Sequence, residues 1–103
     1  MGTVGIDVIL GDEGNDSIFA DDGNDTMDGE AGNDTVKGGS GNDWISGEQN
    51  DDLLFGQGGN DVVEGDDGND TVDGGGGLDV LLGGSGDDCL KGRSGDDELF
   101  GDV

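Results

Sequence analysis

Apolar residues recur along this chain at intervals of nine. Ile9, Ile18, Met27, Val36, Ile45, Leu54, Val63, Val72, Leu81, Leu90 and Leu99 stand eighth in eleven consecutive units, which run from Gly2 to Phe100 without insertion or deletion. A fixed period makes each unit one supersecondary element that stacks on its neighbours. In the second unit, GDEGNDSIF, the first six residues are turn formers, and Gly and Asn tolerate positive φ. The last three read as a very short strand with its middle residue facing one way and its neighbours the other. Slot one is Gly in ten units, with Ala20 the exception. Slot four is Gly in ten, with Asn50 the exception, and Asn is the next most tolerant of a left-handed backbone.

A six-residue turn and a three-residue strand make half of a flattened coil, so two units make one turn of 18 residues. The expected fold is all-β: two short-stranded parallel sheets, odd units in one and even units in the other, with slot-eight side chains filling the gap between them. Eleven units give about five and a half coils and a rod on the order of 25 Å long. One domain is expected over residues 2–103, eleven units plus the start of a twelfth.

Slot six is aspartate in every unit: Asp7, Asp16, Asp25, Asp34, Asp43, Asp52, Asp61, Asp70, Asp79, Asp88 and Asp97. Stacking aligns the odd members along one edge and the even members along the other. Carboxylates held one coil spacing apart either take up protons or recruit a counter-ion. The chain supplies 27 acidic residues, 3 basic ones, no His and a single cysteine, Cys89. Hard oxygen donors in Gly-rich turns suit Ca²⁺; Mg²⁺ demands a tighter octahedron and gives up water reluctantly. Cys89 falls in slot seven, where Thr, Ser and Val also occur, and reads as an ordinary small side chain.

Composition then changes the picture. A formal charge of −24 with only 28% apolar residues is ordinarily the mark of disorder. The strict phase of the apolar positions argues for a folded state, and the charge says that state needs a cation. Without one, the chain is expected to be disordered. The same charge excludes nucleic acid as a partner. No apolar run is long enough for a membrane span, and no signal peptide is visible, since the repeat begins at residue 2.

The units resemble the RTX (repeat-in-toxin) nonapeptide G-G-x-G-x-D-x-U-x, where U is a large aliphatic residue, a Ca²⁺-binding β-helix repeat. Units GGSGNDWIS (38–46) and GGSGDDCLK (83–91) match every defined slot. The resemblance implies a parallel β-roll, a right-handed β-helix, with Ca²⁺ between the turn of one unit and that two further on. Slot-six carboxylates would bridge the ions. Turn carbonyls would complete the shell, those of Gly14, Gly23, Gly32, Gly41, Asn50, Gly59, Gly68, Gly77 and Gly86. Five gaps on the odd edge and four on the even edge allow about nine ions at most. The terminal sites, at Asp7 and Asp97, are expected to be the poorest.

Departures from the pattern carry expectations too. Slot two is Gly only at Gly39, Gly75 and Gly84; elsewhere it is often acidic (Asp12, Asp21, Glu30, Glu48, Asp66), with Gln57 and Arg93 as other exceptions. Only the carbonyl is expected to matter there. Asn15, Asn24, Asn33, Asn42, Asn60 and Asn69 are expected to bond across their own turns, with Ile6 and Leu78 weakening theirs. Phe19, Trp44, Phe55, Leu82 and Phe100 face outward and are candidates for an interaction surface.

The function expected is a calcium-binding structural module of a secreted, extracellular bacterial protein, disordered without Ca²⁺ and folding to a rigid roll on binding it. Family members commonly leave the cell unfolded by a one-step (type I) route. No catalytic activity is expected: the chain lacks His, and periodic carboxylates do not make the asymmetric constellation catalysis needs. Alternatives are an adhesive, extender or recognition segment of a larger surface protein or enzyme, or a designed array. An ice-binding face would need an unbroken rank of Thr, but Thr26, Thr35 and Thr71 are interrupted by Trp44, Leu53 and Val62. Beyond calcium, the expected partners are a flanking domain or a second copy stacked end to end.

Overall fold

A computed structural model describes residues 4–101. Gly2–Thr3 of the first expected unit and Asp102–Val103 of the twelfth, which begins at Gly101, lie outside the described residues. The chain is all β among the described residues. Odd units supply β1 (Val8–Leu10), β3 (Thr26–Asp28), β5 (Trp44–Gln49), β7 (Val62–Asp67), β9 (Val80–Leu82) and β11 (Glu98–Phe100). Even units supply β2 (Ser17–Phe19), β4 (Thr35–Ser40), β6 (Leu53–Gly58), β8 (Thr71–Asp73) and β10 (Cys89–Lys91). The first set forms a six-stranded sheet and the second a five-stranded sheet, each in order of position along the chain. All pairings are parallel, and every residue pairs with the one 18 positions on, as Ile45 with Val63 and Val36 with Leu54. Two nine-residue units therefore close one coil.

Slot eight forms the core. Ile18, Met27, Val36, Ile45, Leu54, Val63, Val72 and Leu81 are buried, with Ile9 and Leu90 packed partly against them. Toward the C-terminal end the same slot opens, Leu99 being 45% exposed, and in the first unit the residues around Ile9, namely Val4, Ile6, Val8 and Leu10, are exposed. The overall shape corrects the expected rod. The extents are 34 × 33 × 12 Å, a thin slab about as wide as it is long. One layer of side chains sets the thickness, and strand plus turn set the width.

The turn is also shorter than expected. In β4, β5, β6 and β7 the ladder runs six residues, from slot seven through slot three of the next unit. Elsewhere slot three pairs by isolated bridges, such as Glu13 with Ala31 and Gly76 with Ser94. This extended ladder passes through slot two, where the backbone is left-handed. Asp12, Asp21, Glu30, Glu48, Gln57, Asp66 and Arg93 have φ between 67° and 79°. Left-handed φ is costly for residues with a Cβ. It persists because flanking ladder bonds hold it: Ala31, Ser40 and Gln49 donate to the carbonyls of Asp12, Asp21 and Glu30 at 3.1, 2.9 and 3.0 Å.

The burial gradient along the stack makes a prediction. Leu54→Ala should cost about 2–5 kcal/mol of folding stability, as cavities in packed cores do, whereas Leu99→Ala should cost well under about 1 kcal/mol. Denaturant midpoints of the folded protein would check this. Equal losses at the two positions would contradict a core centred on the middle coils.

Candidate metal centre

The aspartates of slot six lie at the end of each turn, just before the strand, and the stack turns them inward. Asp25, Asp34, Asp43, Asp52, Asp61, Asp70 and Asp79 are buried, each 4% exposed or less. Their two oxygens have different fates. Each Oδ1 accepts the amide of the aspartate one coil back: Asp34 from Asp16 at 2.7 Å, Asp52 from Asp34 at 2.8 Å, Asp61 from Asp43 at 2.8 Å. The ladder continues without a break from Asp25, which accepts from Asp7, to Asp97, which accepts from Asp79. The Oδ2 atoms of Asp16, Asp25, Asp34, Asp43, Asp52, Asp61, Asp70, Asp79 and Asp88 are buried without a hydrogen-bond partner. A buried carboxylate oxygen in that condition carries a large desolvation cost.

The orphan oxygens open toward slot one. A Cβ built on Gly38, Gly47 or Gly65 would stand 2.4 Å from the Oδ2 of Asp43, Asp52 or Asp70 in the same unit. On Gly38, Gly56 and Gly65 it would also stand 2.8–2.9 Å from the carbonyl of the slot-one glycine one coil on. The slot-one glycines thus give the carboxylate room and bring a backbone oxygen beside it. The sequence reading missed this carbonyl, although the near-constant Gly of slot one was its signal.

The slot-four carbonyls run up the stack. A Cβ on Gly32, Gly41, Gly59, Gly77 or Gly86 would fall 1.9–2.1 Å from the carbonyl oxygen of Gly14, Gly23, Gly41, Gly59 or Gly68 below it. Asn50 takes this position with φ 82°, as its identity suggested. None of these carbonyls accepts a turn hydrogen bond among the described residues.

The slot-five asparagines correct an expectation. They bond along the stack and not across their own turns. Asn15 accepts the amide of Asn33, Asn24 that of Asn42, and Asn60 that of Leu78, each at 2.8 Å. This ladder runs opposite to the aspartate ladder, so a slot-five residue serves the coil ahead. Leu78 receives its bond but has no acceptor to offer the next coil.

The outward residues do not form one surface. Phe19 and Phe55 lie on the five-stranded sheet and flank Lys37, whose Nζ stands 4.9 and 5.7 Å from the two ring centroids. That is a cation–π sandwich. Trp44, Leu82 and Phe100 lie on the six-stranded sheet, Leu82 and Phe100 as register partners. Arg93 pairs with Asp73 at 2.6 Å, and Cys89 is an exposed free thiol.

No three Asp, Glu or Cys side chains converge to hold a metal ion among the described residues, so a cation here must take most of its ligands from backbone carbonyls. A family model, the RTX calcium-binding nonapeptide repeat, matches four times, over residues 1–36, 29–63, 37–72 and 73–103. The chain belongs to the RTX calcium-binding nonapeptide-repeat family. No curated protein and no solved structure matches it. RTX repeats are calcium-binding structural modules, typical of secreted bacterial proteins. The donor set of this RTX chain fits that ion: buried hard oxygens with unmet bonding capacity, beside turn carbonyls, with no soft ligand among them. Among the described residues no helix is long and apolar enough to cross a membrane.

Burial pushes the central carboxyls upward. Asp52 and Asp61 are raised to about 7 and Asp70 to about 6. Desolvation is the chief cause in each; the amide bond to the neighbouring aspartate opposes it, and nearby acids add to it. Asp34, Asp43 and Asp79 move the same way for the same cause. A carboxyl whose folded pKa exceeds its unfolded one opposes folding at high pH, and the opposition fades as pH falls from the folded value toward about 4. The metal-free chain should therefore gain strand content between pH 8 and pH 5. Replacing Asp52, Asp61 and Asp70 together by Asn should flatten that response. Circular dichroism in chelator would check both, and loss of strand signal on acidification would contradict the assignment.

Proposed function

We propose that this chain is a calcium-responsive folding module of a secreted bacterial protein, disordered where Ca²⁺ is scarce and a rigid β-roll where it is plentiful. The observation that carries the reading is the set of nine buried, unpartnered Oδ2 atoms, Asp16 through Asp88. The total of nine equals the number of gaps between adjacent slot-six aspartates on the two edges taken together, although four of the atoms lie on the odd edge and five on the even. Each gap would be held by the two Asp carboxylates that flank it and by turn carbonyls, those of slot four together with those of the slot-one glycines. Bound Ca²⁺ supplies the positive charge the column lacks. About nine ions would leave a net charge of about −6, against −24 for the bare chain.

The chain's residues divide the work. In the folded roll the Oδ1 ladder holds each carboxylate in the strand register. The slot-one and slot-four glycines let coils approach closely enough to share carbonyls. The core is one layer thick, so the carboxylate edges are a large part of the structure and cannot remain unpaired in it. Sites are then coupled through shared coils, as in other linear repeats. Weak affinities, on the order of 10⁻⁴–10⁻³ M, are the range of extracellular modules. Such a module contributes no catalysis; it orders, spaces or extends whatever chain it is joined to.

Two outcomes are expected. Adding Ca²⁺ to the chelated protein should convert a disordered circular dichroism spectrum into a strand spectrum in one cooperative step; a strand spectrum persisting in excess chelator at pH 8 would sink the proposal. Asp52→Ala removes a carboxylate shared by two gaps, whereas Asp97→Ala touches one gap. The Ca²⁺ midpoint should rise more for Asp52→Ala, and equal midpoints would argue against shared sites.

A further inference from the structure

The geometry points to Ala20 as a built-in defect that makes the turn at Asp25 the weak calcium site of the stack. The inference rests on the calcium reading above and deepens it.

Slot one is glycine for room, not for backbone freedom. None of the slot-one glycines from Gly11 to Gly92 has a left-handed φ. What they share is the space above the α-carbon. A Cβ on Gly11, Gly29, Gly38, Gly47, Gly56, Gly65, Gly74, Gly83 or Gly92 would stand 2.4–3.0 Å from the Oδ2 of its own unit's aspartate. That is far inside the separation at which carbon and oxygen atoms attract. The bare α-carbon keeps the orphan oxygen open.

Ala20 is the one slot-one residue with a real methyl. It is fully buried and belongs to the core cluster. The residue equivalent to it one coil on is Gly38, whose built Cβ would meet Asp43 Oδ2 and the Gly56 carbonyl. By the same register the Ala20 methyl would stand against Asp25 Oδ2 and the Gly38 carbonyl. The coil yields slightly to hold it. The Ala20 amide reaches the Lys37 carbonyl at 3.1 Å, whereas the equivalent bonds of Gly11, Gly29, Gly74 and Gly83 are 2.8–2.9 Å.

The aspartate column is otherwise undisturbed at this unit. Asp25 accepts the Asp7 amide at 2.8 Å and donates its own to Asp43 at 2.9 Å. Its Oδ2 is still buried without a partner. Asp25 thus keeps the strand register and the charge of its neighbours while a methyl shields the oxygen that would bind. Calcium needs six to eight oxygens around it, and at this turn a carbon occupies part of that shell.

Ala20→Gly in the full chain separates the proposal from a packing role. Bound Ca²⁺ is counted by metal analysis after dialysis at fixed free Ca²⁺, and the folding midpoint is followed by circular dichroism. The proposal expects Ala20→Gly to bind one more ion than the parent at intermediate Ca²⁺, with the weakest site tightened about tenfold, and to fold at lower Ca²⁺. Packing alone expects the opposite, since the change removes a buried methyl and adds backbone freedom. The converse change, Gly38→Ala, should lose one ion. An unchanged ion count in Ala20→Gly, a raised midpoint, or a full count in Gly38→Ala would overturn the assignment of Ala20. A parent chain that takes up no Ca²⁺ at all would overturn the calcium reading itself.

Discussion

The structure depends on repulsion that has been put to use. Stacking nine-residue units in register places a carboxylate inside every turn, and the core between the sheets is a single layer of side chains. From Asp25 to Asp79 neither the layer nor the turns allow those carboxylates to reach water. Each of these is half satisfied, its Oδ1 tied to the coil behind and its Oδ2 left bare. The backbone that forms the roll is the same backbone that gathers the charge, so folding and cation binding answer to one geometry.

The two ladders give the stack direction. Aspartate side chains accept amides from the coil behind and asparagine side chains accept amides from the coil ahead. Every interior turn is thus bonded on both sides by side chains as well as by strands. These bonds fix coil spacing, and coil spacing fixes how far apart the carboxylates and carbonyls stand. The outer faces contribute separately: Lys37 between Phe19 and Phe55 spans three strands of one sheet, and Ser46 donates to Asp66 across a coil of the other at 2.9 Å.

Much of this was legible in the sequence because a strict period carries register. Once slot eight was apolar in every unit, the 18-residue pairing, the two parallel sheets and the placement of odd and even aspartates on opposite edges followed. So did the left-handed turn at Asn50. Phase does not carry the direction of a hydrogen bond, and the asparagines, expected to close their own turns, instead bond along the stack. Nor does it carry strand length: β4 to β7 extend through positions that read as turn because slots one and two are rich in glycine and acid. The left-handed backbone at slot two was hidden because Asp, Glu, Gln and Arg occupy it more often than Gly does. The steric meaning of slot one was hidden for the opposite reason. Glycine there looks like turn chemistry, and only the position of Asp Oδ2 shows that it makes room.

The central claim is that the bare Oδ2 atoms are cation ligands. A crystal structure grown in Ca²⁺, with ions located by anomalous scattering, tests it most directly. The account predicts ions in two columns along the slab edges, each within about 2.3–2.6 Å of slot-six carboxylate oxygens and of turn carbonyls. Edges in which Asp43, Asp52 and Asp61 Oδ2 bind only water, with calcium elsewhere or absent, would contradict it.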